Sequence, residues 1–302
     1  LGRGEWMLAE ADESDGSFLQ LTPTINIVTN IDAEHLDHYG SVEALYESFV
    51  KFINKVPFYG ASVLCLDHPA IQALLPQVTK RYVTYGFSSQ AEFRAVEFEA
   101  EEGVSRFSVQ RGDEFLGPVE LQIPGRHNVL NALAAIASSM EAGIPFAVAQ
   151  QALGRFQGVQ RRVTLRGVAQ GITVVDDYAH HPAELQATLR AAREAYGRRV
   201  IAIWQPHRYS RVRDLREEFM RSFNDCGLVL VMDVYPAGES PIEGVDAESL
   251  VRELRHHGHK GVLLTPRRED VLQAVRSEAR KGDVVITMVA GDVTGLSHDL
   301  ED

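Results

Sequence analysis

The chain is poor in the groups on which several common chemistries depend. Of its 302 residues only Cys65 and Cys226 are cysteine. Two thiols cannot build a disulfide framework or a four-thiolate metal site. Each sits in an apolar run, which reads as a buried thiol in a reducing compartment, the cytoplasm. Lysine is nearly as scarce: Lys51, Lys55, Lys80, Lys260 and Lys281 are the full set. None of them stands in a Gly-x-x-x-x-Gly-Lys-Ser/Thr loop, and Gly-x-Gly-x-x-Gly is missing as well, so neither common phosphate cradle is present. No apolar run approaches the roughly 18 residues that a membrane span needs, and no signal peptide is visible. Positive charge is outnumbered, with 30 Lys and Arg against 42 Asp and Glu and a formal net charge of −12. That balance speaks against nucleic acid and anionic membranes as partners. It leaves room for one phosphorylated small molecule at a local basic patch.

What remains is ordinary globular material. Hydrophobic residues make up 45% and charged residues 24%, enough for a sizeable core and too apolar for disorder. The length predicts two domains. The glycine-flanked stretch Gly154–Gly158 marks the seam, giving residues 1–155 and 156–302. The first residue is Leu1, and the apolar run Trp6–Ala9 reads as a core strand almost at once. The expectation is a piece of a longer protein.

The fold class expected is α/β. Ile25–Asn30, Ala61–Leu66 and Arg81–Tyr85 read as short buried strands, and Ser41 caps a helix running to about Ile53. Between Glu92 and Ile123 the period becomes two, with turns at Glu101-Glu102-Gly103 and Arg111-Gly112-Asp113, so this section reads as an antiparallel insert or sheet edge. Gly125 opens a long helix whose Val129, Leu133, Ile136 and Met140 share one face. A short helix follows from Pro145 to Leu153. The second half predicts strands at Ile172–Val175, Val200–Trp204, Leu228–Val231, Val262–Leu264 and Val284–Met288. Helices are predicted at Pro182–Ala195, Arg211–Phe223, Ala247–His256 and Arg267–Arg280. Such alternation implies a mostly parallel sheet covered on both faces, with ligands at the C-terminal strand ends.

The polar clusters fall at those ends. Glu10, Asp12, Glu13 and Asp15 follow the first apolar run; Asp32, Glu34, His35, Asp37 and His38 follow the next strand. A carboxylate from one loop and an imidazole from the other can share a hard divalent cation completed by phosphate oxygens and water, or both loops can be simple solvated acid. At Gly125-Arg126-His127-Asn128 a helix N-terminus offers free N–H groups to an anion. Asn128 and Asn131 can read a base or ribose there, or Asn128 can merely cap. Asp176-Asp177-Tyr178-Ala179-His180-His181-Pro182 packs two acids, a phenol and two imidazoles between a strand and a helix. One of its histidines suits contact with a phosphate or carboxylate. Arg208 and Arg211, three apart at a helix start, suit bidentate recognition of a carboxylate or phosphate. Asp233–Glu239 would rim the same crevice. Arg161 and Arg162 could touch phosphate or bridge the domains. His256-His257-Gly258-His259 reads as a solvated turn.

Several long segments occur together and in order: Glu10–Gly40 (EADESDGS through EHLDHYG), Gly125–Ile136 (GRHNVLNALAAI), Val174–Leu185 (VVDDYAHHPAEL), Trp204–Leu215 (WQPHRYSRVRDL) and Asp233–Glu239 (DVYPAGE). In these the chain resembles the Mur ligases of peptidoglycan synthesis, from Leu1 to about Leu300. The first and last segments resemble the branch that adds L-alanine to UDP-N-acetylmuramate. The branch that recycles murein tripeptide shares the HNVLNA and HHP motifs. In Met288–Leu296, Val289 departs from the family's usual glycine.

The resemblance implies a partial central ATPase domain, mostly parallel with an antiparallel insert, and a Rossmann-like C-terminal domain. The family's UDP-sugar domain and P-loop would lie outside this chain, which alone is expected to be inactive. ATP and Mg²⁺ are the implied cofactors. Glu13 and His35 would help hold magnesium. His127, Asn128, Asn131, Asp177 and Tyr178 would lie toward the nucleotide, and His180, Arg208 and Arg211 toward the phosphates and the alanine. The implied reaction turns the lactyl carboxylate into an acyl phosphate, which the amine then attacks. The other readings are the tripeptide-recycling activity and a non-catalytic nucleotide-binding remnant.

Overall fold

A computed structural model describes residues 4–159, 162–289 and 295–300. Arg161 and residues 290–294 of the Met288–Leu296 segment therefore lie outside the described residues. The chain divides into two compact units: residues 1–98, 106–120 and 129–154 form the first, and residues 99–105, 121–128 and 155–302 the second. No helix among the described residues is long and apolar enough to cross a membrane.

The first α/β sheet is built from β1 (Ile25–Val28), β2 (Ala61–Cys65), β3 (Tyr82–Gly86), β4 (Phe93–Glu101), β5 (Val104–Arg111) and β6 (Glu114–Leu121), in that spatial order. β1 through β4 pair in parallel. The two-residue turns between β4, β5 and β6 connect antiparallel neighbours, because so short a turn can only reverse the chain. Glu102 and Gly103 both take positive φ, as a twist-matched hairpin turn requires. The alternating segment is thus continuous with the parallel sheet. Helices α1 (Leu36–Tyr39), α2 (Val42–Ile53), α3 (Pro69–Leu74), α4 (Arg126–Glu141) and α5 (Phe146–Arg155) complete this part of the chain.

α2 shows how sequence becomes packing. Ser41 Oγ accepts from Ala44 N at 3.2 Å and caps its start. Leu45, Phe49, Phe52 and Ile53 form its buried face. Its last carbonyls lack helical partners. Asn26 Nδ2 donates to Phe52 O and Ser62 Oγ to Ile53 O, both at 2.8 Å. Asn26 and Ser62 are register partners on β1 and β2, which explains two polar residues in otherwise apolar strands.

Residues 6–9 are not a strand. β1 is the edge of the sheet and no strand among the described residues pairs with this segment, so Trp6, Met7 and Leu8 stay exposed, Leu8 at 92%. Apolar composition cannot make a strand without a neighbour to hydrogen-bond to it.

The second unit holds β7 (Thr164–Ala169), β8 (Ile172–Asp177), β9 (Val200–Gln205), β10 (Leu228–Val231), β11 (Val262–Leu264) and β12 (Val284–Val289). Their order is β11-β10-β9-β12-β8-β7, all parallel except the β7–β8 hairpin. Helices α6 (Pro182–Tyr196), α7 (Tyr209–Asp214), α8 (Arg216–Met220), α9 (Ala247–His256), α10 (Arg268–Glu278) and α11 (Leu296–Asp299) make the connections and the tail. Val200, Ala202 and Trp204 join one core cluster, while Ile201 and Ile203 join the other. β9 is therefore buried on both faces, as a doubly covered sheet demands. Trp204 lies 5.2 Å from Phe219 and 4.9 Å from Phe223, ring centre to ring centre. The single helix expected over Arg211–Phe223 is two short ones, because Leu215 at φ −110° and ψ 27° breaks the helical backbone. β12 lies between β8 and β9, so the strand order reverses at this point. The crevice beyond their C-terminal ends is where an open α/β sheet binds ligands.

Candidate functional site

In the first unit the acidic loop is fixed from below. Phe18 is buried between Phe49 and Phe52, at 5.3 and 4.9 Å between ring centres. Lys55 Nζ donates to Leu19 O and, at 3.0 Å, to Leu21 O. Asp12 Oδ1 accepts from Ser14 N and Asp15 Oδ1 from Ser17 N; the side chains of Ser14 and Ser17 first, and these backbone bonds next, hold both carboxyls below the usual range. Tyr39 O–H donates to Glu13 O at 2.5 Å, tying α1 to the loop.

His35 enters α1 in the left-handed region, φ +57°. Its Nε2 stands 3.9 Å from Glu13 Oε1 and 3.7 Å from Glu34 Oε2. The spacing to Glu13 is that of two ligands each approaching one small cation at about 2 Å. Among the described residues no group of three or more His, Cys, Asp or Glu side chains is placed to hold a metal. The donor set fits a cation whose shell is completed by phosphate and water, not a closed protein cage. At the neighbouring strand end His68 Nε2 lies 3.9 Å from Asp32 Oδ1, and burial lowers its pKa.

His127 and Asn128 sit in the second unit, at the start of α4. Gly125 precedes them at φ +105°, where a Cβ would come within 2.7 Å of Ala191 Cβ and 2.9 Å of His127 Cε1. Only glycine lets the chain pass there. Burial, and then the charge of Arg162, lower the pKa of His127 and keep it neutral. Asn128 Nδ2 donates to Pro124 O at 2.7 Å, a local structural bond. Asn131 is exposed on the same helix, in the first unit.

Asp177 ends β8 with 2% of its surface exposed. Its Oδ2 accepts from Val163 N and its Oδ1 from Ala179 N, both at 2.7 Å. Each carboxylate oxygen thus holds a backbone amide. Desolvation nevertheless outweighs these bonds and the nearby Arg162, and raises its pKa to about 6. Asp176 accepts from Thr287 Oγ1 at 2.7 Å and Arg166 Nη2 at 2.8 Å. Beyond Asp177, Glu184 Oε2 receives the amides of His180 and His181, at 3.0 and 3.2 Å, while Oε1 accepts from Arg162 at 3.0 Å.

The second-unit loops converge on rings and guanidinium groups. His180 Nδ1 lies 2.9 Å from Tyr178 O, and its ring stands edge-on to Tyr178 at 5.1 Å. His207 is 5.7 Å from the His180 ring and stacks on Tyr235 at 5.4 Å and 20°. Arg211 Nη1 is 3.3 Å from His207 Nδ1. Burial, then His180, Arg211 and Arg208, press the His207 pKa down to about 4. At neutral pH it is an uncharged ring between cationic groups. Arg208 Nε donates to Glu239 Oε1 at 2.7 Å.

The structure therefore brings Glu13 to His35, and gathers His180, Arg208 and Arg211 around His207, with Tyr178 against His180. His207, Tyr235, Glu184 and Glu239 were not singled out from sequence. The first, second and fourth stand in the two loops read as rimming the crevice; position i+4 from His180 is the only signal for Glu184. In the turn His256–His259 the first three residues are exposed as expected, while half-buried His259 has its Nε2 2.9 Å from Met220 O and its ring edge-on to Phe223.

Comparison with known proteins completes the picture. Residues 7–139 match the Mur ligase middle domain, and residues 161–291 match the Mur ligase, glutamate ligase domain. The chain is 54% identical over 300 residues to a UDP-N-acetylmuramate–L-alanine ligase of Anaeromyxobacter sp., covering 99% of this chain and 65% of that relative. It thus spans just under two thirds of the relative's length. The solved UDP-N-acetylmuramate–alanine ligase of Thermotoga maritima superposes with a TM-score of 0.76 at 25% identity, over 96% of this chain and 61% of the other. A murein peptide ligase of Psychrobacter arcticus shares the fold at a TM-score of 0.60 and 21% identity, over 93% and 57%. With the middle and C-terminal modules of one family following each other along its length, the chain belongs to the Mur ligases.

Proposed function

We propose that this chain carries the catalytic and amino-acid-binding parts of an ATP-dependent ligase that joins L-alanine to the lactyl carboxylate of UDP-N-acetylmuramate, a cytoplasmic step of peptidoglycan precursor synthesis. The observation that carries this reading is the 54% identity to an enzyme of that name across 99% of the chain. ATP supplies the phosphoryl group that makes the lactyl carboxylate an acyl phosphate, and the amine attacks that carbonyl carbon as phosphate leaves. Glu13 and His35 would hold Mg²⁺, whose charge would offset the repulsion between a carboxylate and a triphosphate. His127, Asn128, Asn131, Asp177 and Tyr178 form the nucleotide side of this reading. The engaged oxygens of Asp177 give it a second duty, that of holding Val163 and Ala179 in place. His180, Arg208 and Arg211 receive the phosphates and the amino-acid carboxylate. His207, neutral at working pH, leaves the positive charge of that corner to the guanidinium groups.

The test is ADP release by the full gene product with ATP, Mg²⁺ and UDP-N-acetylmuramate. L-Alanine should support turnover, and chelation of the metal should abolish it. Turnover with murein tripeptide but not alanine would move the protein to the recycling branch. Nucleotide binding with no ADP release from either acceptor would leave a non-catalytic remnant.

A further inference from the structure

Glu239 takes no part in the roles just assigned, yet it ties the loop that carries Arg208 to its own loop after β10. Its Oε1 accepts from Arg208 Nε at 2.7 Å and from Ser210 Oγ at 2.6 Å, and its Oε2 accepts from Ser210 N at 2.9 Å. The donors belong to the end of the loop after β9 and the first turn of α7, whereas Glu239 belongs to the loop after β10. The same loops share a two-way backbone link: Tyr235 N donates to Pro206 O at 2.8 Å and Arg208 N to Tyr235 O at 2.9 Å. The Tyr235 ring lies flat against His207. Between these contacts Arg208 takes φ +67°, a left-handed conformation that a β-carbon disfavours. Such a backbone persists only where its surroundings over-determine it.

We propose that Glu239 is a positioning residue for the amino-acid end of the site, acting through Arg208 and Ser210. The proposal rests on the reading above that Arg208 and Arg211 receive the carboxylate of the incoming amino acid. The geometry gives Glu239 a specific task. Glu239 takes the Nε of the Arg208 guanidinium, and the Arg208 side chain remains 47% exposed. A planar guanidinium offers two edges, so one carboxylate can aim it while a second is bound. Ser210, held through both its amide and its hydroxyl, fixes the start of α7, on which Arg211 is carried. The clamp is permanent over ordinary pH. Desolvation works against the Glu239 charge, but the bonds from Ser210 and the Arg208 guanidinium outweigh it and hold the pKa at about 2.

The experiment varies L-alanine in steady-state assays of the full gene product and of its Glu239→Gln and Glu239→Ala variants, with melting curves to confirm that each is folded. The expected result is an amino-acid KM raised about 10- to 100-fold, with kcat and the KM for ATP changed by less than about 3-fold. Glu239→Asp should recover part of the loss. Ser210→Ala removes one bond of the clamp and should raise the same KM by about 3-fold, which keeps the test open if the Glu239 variants do not fold. An unmoved amino-acid KM in folded Glu239→Gln, or equal losses for every substrate, would overturn the positioning role alone. A wild-type protein with no alanine-dependent ADP release would overturn the parent reading, and this one with it.

Discussion

The two polar corners of the molecule are built on opposite plans. In the first unit Glu13 and His35 stand 42% and 31% exposed, 3.9 Å apart, with supports that hold their backbone more than their side chains. In the second unit the charged groups are already spoken for. Asp177 binds two amides, Glu184 two amides and Arg162, and Glu239 a guanidinium and both donors of Ser210. An unfinished pair of ligands suits a partner that brings strong charge of its own, such as a hydrated cation with phosphates. A pre-wired set suits recognition of a small zwitterion, where affinity depends on fixed angles and not on total charge. The difference predicts that function and stability separate in the first corner and travel together in the second.

The sharpest break of that comparison is at His35. His35→Gly removes the imidazole and places at φ +57° a residue that takes this conformation without strain. Turnover should fall by about 100-fold or more, as for loss of a metal ligand. The melting temperature should hold or rise. Glu13→Ala should cost similar activity and little stability, since its side chain is half exposed. Stability lost in step with activity in both variants would show that the pair is structural.

Asp177 is the converse. Asp177→Ala leaves the Val163 and Ala179 amides unpaired in a buried place and should cost about 2–4 kcal/mol in denaturant unfolding. Its pH dependence has a defined sign. The folded pKa, about 6, lies above the ordinary 3.8, so the folded state binds the proton more tightly. The stabilisation linked to this proton is complete below about pH 4 and is lost as pH rises through 6. The difference in unfolding free energy between wild type and Asp177→Asn should therefore shift against wild type from pH 4 to pH 7. A difference that is flat over that range would contradict the buried, raised carboxyl.

Much of this was legible in the sequence, for identifiable reasons. The strands of the second sheet have apolar runs bounded by polar loops, and their positions follow directly because both faces are buried. β10 and β11 fall at the expected residues. Glu13 and His35 meet although the strand expected before Glu13 does not form: Tyr39 O–H donates to Glu13 O and ties α1, which His35 enters, to that loop. What escaped was whatever depends on a partner distant in sequence. Trp6–Ala9 has strand composition but pairs with no strand among the described residues. β7 was missed because Gly167 interrupts its alternation at a bulge after Leu165. The packing of His207 on Tyr235 and the Arg208–Glu239 clamp join residues about thirty positions apart, a distance that no local period reports.

The smallest expected effect tests the nucleotide side of the reading at Asn131, the one member of that set with an exposed side chain on a helix surface. Alanine has the higher helix propensity, by about 0.5 kcal/mol, because the asparagine amide competes for backbone groups in non-helical conformations. Asn131→Ala should therefore stabilise the protein slightly while raising the KM for ATP by about 2- to 5-fold, the loss of one neutral hydrogen bond. Opposite signs in the two measurements would separate a binding duty from a structural one more cleanly than a larger effect could. A stability gain with no change in the KM for ATP would remove Asn131 from the nucleotide side. His127 and Asn128, at the start of the same helix, would remain its only members there.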